Sequence, residues 1–133
     1  MARPDFKHLK RRAGQGVLIL TLTDAEIVSE GVTEDLRLEL LSAVGSQESP
    51  KVVIDFQAVK LISTTCLRAL LNFRRHVREK GGQPLLCNLS SQVAEVLFTT
   101  RIASPSPSAQ IPFAIAPDIQ AAVAHLSASS SQR

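Results

Sequence analysis

Apolar and polar positions along the chain change period several times, and each change marks an element. Val17 to Thr23 (VLILTLT) starts as a nearly continuous apolar run and then alternates over Leu20, Thr21, Leu22 and Thr23, as a strand with a buried face does. Residues 6–12 suit a short strand before it. Ala13-Gly14-Gln15-Gly16 reads as the turn between them, so the chain is expected to open with an antiparallel hairpin. Residues 24–31 form a connection, and a helix is expected to begin near Ser29 to Thr33. Glu30, Glu34 and Asp35 lie where acidic side chains suit the positive helix end. Leu36, Leu40 and Ala43-Val44 line one face, Leu38 and Leu41 widen it, and Gly45 stops it.

Lys51 to Phe56 has the composition of a buried strand, with Asp55 near its end. After a short link the most regular helical pattern runs from about Thr64 to Gly81-Gly82. Cys66, Leu70, Phe73 and Val77 fall on one side, broadened by Leu67 and Leu71, and Arg68, Asn72, Arg75 and Glu79 fall on the other. Gln83 to Asn88 reads as another strand. Ser90 or Ser91 caps a third helix with Val93, Val96 and Leu97 inward, and residues 103–110 (ASPSPSAQ) read as a loop. Ile111 to Ile115 reads as a last strand that Pro112 assigns to a sheet edge. Pro117 or Asp118 starts a final helix with Ile119, Ala122, Val123 and Leu126 inward, followed by a frayed tail. Helices alternating with strands imply an α/β fold: a mixed, mostly parallel sheet with four helices. Ligand and partner sites in such sheets gather where strands end and helices begin.

Composition narrows the classes. The 133 residues suit one domain over 1–133, with a core over about 6–127 and a flexible tail over 128–133. Apolar residues make up 44% and charged residues 20%, which is the balance of a globular chain. The net charge of +3 gathers partly at Lys7, Lys10, Arg11 and Arg12, but there is no Trp or Tyr to stack on bases, so direct nucleic-acid binding is not expected. No apolar run approaches a membrane span, and residues 1–12 carry no leader pattern, so a cytoplasmic protein without membrane insertion is expected. The two cysteines, Cys66 and Cys87, read as small buried hydrophobes.

No catalytic, metal or cofactor site is expected. Phosphate-binding glycine motifs and a nucleophile elbow are absent, and His8, His76 and His125 fall in separate elements without ligand spacing. The stretch that does hold chemistry is Ser63-Thr64-Thr65, three hydroxyls where a strand hands over to the longest helix. A helix start offers unpaired backbone N–H groups and the positive end of the dipole. Ser63 or Thr64 can cap it, and a phosphate there is stabilised by the same groups.

Asp55 at the end of an apolar strand, Leu67 after the hydroxyls, Gly81-Gly82 after the helix and Asn88-Leu89-Ser90 before the next helix together carry a resemblance. Residues 51–102 look like the central part of a STAS domain, the fold of anti-sigma factor antagonists, and the flanking elements fit the family order. The resemblance implies a non-enzymatic partner switch. An anti-sigma factor that is itself a serine kinase phosphorylates a motif hydroxyl, here expected at Thr65, with Thr64 as the alternative. The implied docking surface is Ser63, Thr64, Thr65, Cys66, Leu67 and Arg68. Three positions depart from the family pattern: Ser63 replaces its leading Asp, Cys66 its Gly, and Arg68 a small residue. The first of these leaves open a second expectation, a STAS subunit of a transporter or signalling scaffold that docks without phosphorylation.

Overall fold

The computed structural model describes residues 6–14, 16–45, 50–101, 103–104 and 113–131. Strands β1 (Leu9–Gly14), β2 (Val17–Leu22), β4 (Lys51–Asp55), β6 (Gln83–Cys87), β7 (Ala103–Ser104) and β8 (Phe113–Ala116) form one sheet in the order β1-β2-β4-β6-β8-β7. β1 is antiparallel to β2, and every other pair is parallel. A second, two-stranded sheet pairs β3 (Glu26–Ile27) with β5 (Leu61–Ile62). The helices are α1 (Glu30–Val44), α2 (Thr64–Glu79), α3 (Ser91–Thr99) and α4 (Ile119–Ser131). α4 thus runs on over part of the segment expected to be tail.

Both faces of the central sheet are covered, and this is why its strands read as continuous apolar runs. Successive side chains point to opposite faces. Leu18, Leu20, Leu22, Val52, Ile54 and Leu86 belong to the larger core, shared with α1, α2 and α3. Their neighbours Val17, Ile19, Val53, Leu85 and Cys87 pack with Ala122 and Leu126 of α4.

The helix ends follow local chemistry. Ser29, Ser63 and Ser90 each accept a hydrogen bond from a backbone N–H three residues on, capping α1, α2 and α3. α2 stops in a two-glycine motif: Gly82 N–H donates to the Val77 carbonyl and Gly81 N–H to that of Arg78. Gly81 takes φ 78°, and a Cβ on Gly82 would lie 2.1 Å from the Pro50 carbonyl oxygen, so the first needs glycine for conformation and the second for space.

Several expectations are corrected. Ala13 and Gly14 belong to β1 rather than to the turn, and β1 starts at Leu9. β8 is not an edge strand, because the chain leaving α3 adds the two residues of β7 outside it; Pro112 lies outside the described residues. Leu38 and Leu71 do not widen their helix stripes: they are 51% and 37% exposed, since α1 and α2 lie on the sheet with a narrower face than the apolar count suggested. His8, which has no ligand spacing in the sequence, has a structural role. Its Nδ1 meets the Asp24 carboxylate, and its backbone N–H and that of Lys7 donate to Glu39 of α1, tying the start of β1 to that helix.

Candidate functional site

Strand β4 ends in Asp55, a carboxylate only 2% exposed. A buried charge is tolerated where hydrogen bonds replace water, and three donors do so here. Gln57 N–H (3.0 Å) and Asn88 Nδ2 (2.8 Å) donate to Oδ1, and the Thr21 hydroxyl (3.2 Å) donates to Oδ2. Thr21, Asp55 and Cys87 are register partners on β2, β4 and β6, so the network ties the ends of three adjacent strands. Asn88 holds φ 57°, a left-handed conformation that Asn adopts more readily than most residues, and this turns its amide back onto Asp55.

The link after Asp55 is pinned by two fully buried side chains, Phe56 and Val59, and by Phe56 N–H donating to the Cys87 carbonyl. It enters β5, where Ile62 pairs with Ile27 and both face the core. Ser63 N–H then donates to the Ile27 carbonyl, and the Ser63 hydroxyl accepts from Cys66 N–H at 3.2 Å, opening α2. No acidic residue occupies the first turn of α2, so the positive end of its dipole meets no carboxylate within the helix.

The six residues expected at the docking surface therefore divide. Thr64 and Arg68 are exposed, and Ser63 and Thr65 are half-buried. Cys66 and Leu67, at 0% and 6% exposure, pack in the core. The reason is the turn of the helix, which carries positions 66 and 67 toward the sheet while 64 and 68 face out. Burial pushes the Cys66 thiol up to about 12. Cys87 is likewise raised to about 12, by burial first and then by the charges of Asp55 and Asp118.

Two neighbourhoods of the hydroxyls were not legible in the chain. On the outer face of the β3–β5 pair, Leu61 (47% exposed) and Val28, the residue after β3, stand beside the start of α2. Between α1 and α2 runs a groove of about 520 Å³, walled by Glu30, Thr33 and Glu34 on one side and by Thr65, Arg68 and Asn72 on the other. Glu34 is held by two hydrogen bonds from Arg37, at 3.0 and 2.6 Å, which keep its carboxyl below the ordinary range. The Thr33 hydroxyl is buried and has no hydrogen-bond partner among the described residues. Also among the described residues, no cluster of His, Cys, Asp and Glu is arranged to hold a metal ion, and no helix is long and apolar enough to cross a membrane.

A mixed α/β sheet with an antiparallel first strand, a buried Asp at the end of its central strand and a hydroxyl-capped helix start defines a small α/β domain. The STAS domain family model matches residues 8–126, and the chain belongs to that family. A comparison with curated proteins gives no match. Solved structures similar to it include an anti-sigma-factor antagonist (STAS) domain protein from Planctomyces limnophilus, with 19% identity, TM-score 0.75, and 89% of this chain and 96% of that one covered. The murine Solute Carrier 26 family member A9 anion transporter is similar over 85% of this chain but 18% of its own, with 20% identity and TM-score 0.71. The phosphorylated form of the Bacillus cell fate determinant SpoIIAA is similar at 14% identity and TM-score 0.55, covering 69% of this chain and 82% of that one. At these identities the structural likeness carries the fold alone.

Proposed function

We propose that this chain is a non-enzymatic, cytoplasmic partner-switching regulator of the anti-sigma factor antagonist kind, with Thr65 as the phosphorylated hydroxyl and Thr64 as the alternative. The observation that carries this reading is the start of α2. There an exposed Thr64 and a half-buried Thr65 follow a satisfied Ser63 cap, and the exposed apolar residues Val28 and Leu61 stand alongside. A partner that docks on this end of α2 and on those apolar side chains would cover the hydroxyls as well. A phosphate adds about −1.5 to −2 charges at pH 7 and blocks such a contact by desolvation and bulk, without unfolding the helix it sits on. The structural neighbours include SpoIIAA in both its unphosphorylated and its phosphorylated form, which supports the same chemistry for this fold. The implied partner is an anti-sigma factor with serine-kinase character. Phosphopeptide mapping of the protein from its native cells tests the site, and partner capture by the full chain against its Thr65→Glu variant tests the switch. Phosphate on Thr65 and loss of capture by T65E are expected. No phosphate on either threonine, together with unchanged capture by T65E, refutes the switch.

A second reading rests on Ser63. Its hydroxyl is spent on the cap, and the carboxylate of the family pattern is missing from this position. On that reading the same face docks permanently on a transporter or signalling scaffold. Recovery of a transporter subunit rather than a kinase in the capture experiment, unaffected by T65E, would favour it.

A further inference from the structure

We propose that Arg68 is a built-in counter-cation for a phosphoryl group on Thr65, so that the modified side chain turns into the α1–α2 groove instead of standing in solvent. The proposal rests on the reading of Thr65 as the modified residue and adds what this chain does with the phosphate. Three observations carry it. Arg68 lies three residues beyond Thr65 on α2, where side chains are neighbours, and both line the groove. Arg37, the other arginine of the groove, is committed to Glu34, whereas Arg68 has no hydrogen-bond or ion-pair partner among the described residues. The Thr33 hydroxyl, 2% exposed on the same groove, is a donor without an acceptor. A phosphoryl group supplies acceptor oxygens of the kind both groups lack, and guanidinium–phosphate pairs are among the stronger hydrogen-bonded contacts.

The opposite wall decides where the phosphate sits. Glu34 is already neutralised by Arg37, but Glu30 has no such partner among the described residues and repels an anion. The phosphate is therefore placed beside Arg68, with the Thr33 hydroxyl the donor it meets on the opposite wall. The transfer is an ordinary kinase step. The Thr65 Oγ1–P bond forms as the γ-phosphoryl leaves a nucleoside triphosphate, the bond to the bridging β-phosphate oxygen breaks, and the hydroxyl proton passes to a base of the kinase. Modification then changes the docking face twice, by adding negative charge near Thr64 and by withdrawing the positive charge of Arg68.

Phosphothreonine introduced at position 65 during translation of the full chain tests this without any kinase. The ³¹P shift, followed from about pH 4 to about pH 8, reports the second phosphate ionisation, near 6 in an unperturbed group. A paired cation favours the dianion, so the midpoint is expected about half a unit or more lower with Arg68 than in the Arg68→Gln variant. Arg68→Lys should recover part of the difference, and Thr33→Val should raise the midpoint by a smaller amount. Equal midpoints for the Arg68 and R68Q proteins overturn the proposal. Absence of phosphate from both threonines in cells, with capture unchanged by T65E, would overturn the proposed function but leave this titration unchanged, so the two can fail separately.

Discussion

Replacing Asp55 separates the shape of the strand-end network from its charge. In Asp55→Ala the donors of Thr21, Gln57 and Asn88 all lose their acceptor. Hydrogen bonds to a charged group contribute about 1.5–3 kcal/mol each, but they are not additive. Thr21 and Asn88 are also only half-buried, so water can recover part of the loss. A destabilisation of about 3–5 kcal/mol follows, which is large against a total of about 5–15 kcal/mol. Asp55→Asn behaves differently because of how the two oxygens are used. Gln57 and Asn88 both donate to Oδ1, whereas only the Thr21 hydroxyl donates to Oδ2. An amide oriented with its oxygen at the Oδ1 position keeps two donors, and its NH₂ faces a hydroxyl that can rotate to accept. The cost then falls to about 1–2 kcal/mol, the difference between charged and neutral acceptors. Urea unfolding measures both. With a slope of about 1–3 kcal/mol per molar, the midpoint should drop by about 2 M for D55A and by less than about 1 M for D55N, at unchanged slope. If D55N costs as much as D55A, the charge rather than the geometry holds the network. A loss below about 1 kcal/mol in D55A would show that the three contacts do not stabilise the strand ends.

Thr33→Val removes a buried hydroxyl that has no partner among the described residues, and should stabilise the unmodified protein by about 1 kcal/mol, or about 4 °C in Tm. A lowered Tm would mean that this hydroxyl is satisfied after all. Cys66 and Cys87, both raised from 9.0 to about 12, should not react with a thiol reagent at about pH 8 until the protein is unfolded, since only the thiolate attacks. Because the unfolded thiols lose protons first, their contribution to stability is full below about pH 9 and is eroded as pH rises toward about 12; fast labelling of the native protein at about pH 8 would contradict both burials.

What the chain revealed of itself was governed by distance along the sequence. The apolar runs at Val17–Leu22, Lys51–Asp55 and Gln83–Cys87 were legible because burial on both faces leaves no polar alternation to confuse them. The serine caps and the Gly81-Gly82 stop were legible because their hydrogen bonds close within a few residues. The β3–β5 pair was not, because Ile27 and Ile62 are joined only after the whole of α1 and β4 lies between them. The same holds for the groove, whose walls come from α1 and α2 and whose orphan hydroxyl sits in a helix that reads as ordinary. Periodicity put Cys66 and Leu67 on the apolar face of α2, and both are buried, so of the docking expectation over 63–68 the accessible part is Ser63, Thr64, Thr65 and Arg68. A helix turns about 100° per residue, so six consecutive positions cannot share one face.

The replacement of the family's leading Asp by Ser63 bears on the switch through electrostatics at one helix end. An aspartate before α2 would both cap the helix and answer the positive end of its dipole. Ser63 caps with a neutral oxygen, and the first turn of α2 holds no acidic residue, so that end stays uncompensated. α1 differs, because Glu30 already occupies its first turn. A charge at a helix end is worth about 0.3–1 kcal/mol when exposed and more when partly buried. Without the aspartate, a phosphate on Thr65 meets the helix end, Arg68 and the Thr33 hydroxyl, and no carboxylate at the cap. If Thr65 is phosphorylated as proposed, the neutral Ser63 cap favours the phosphate, whereas a kinase that selects an acidic neighbour would recognise this site less well. In this chain the cap oxygen is neutral, and the cation Arg68 stands about one turn along.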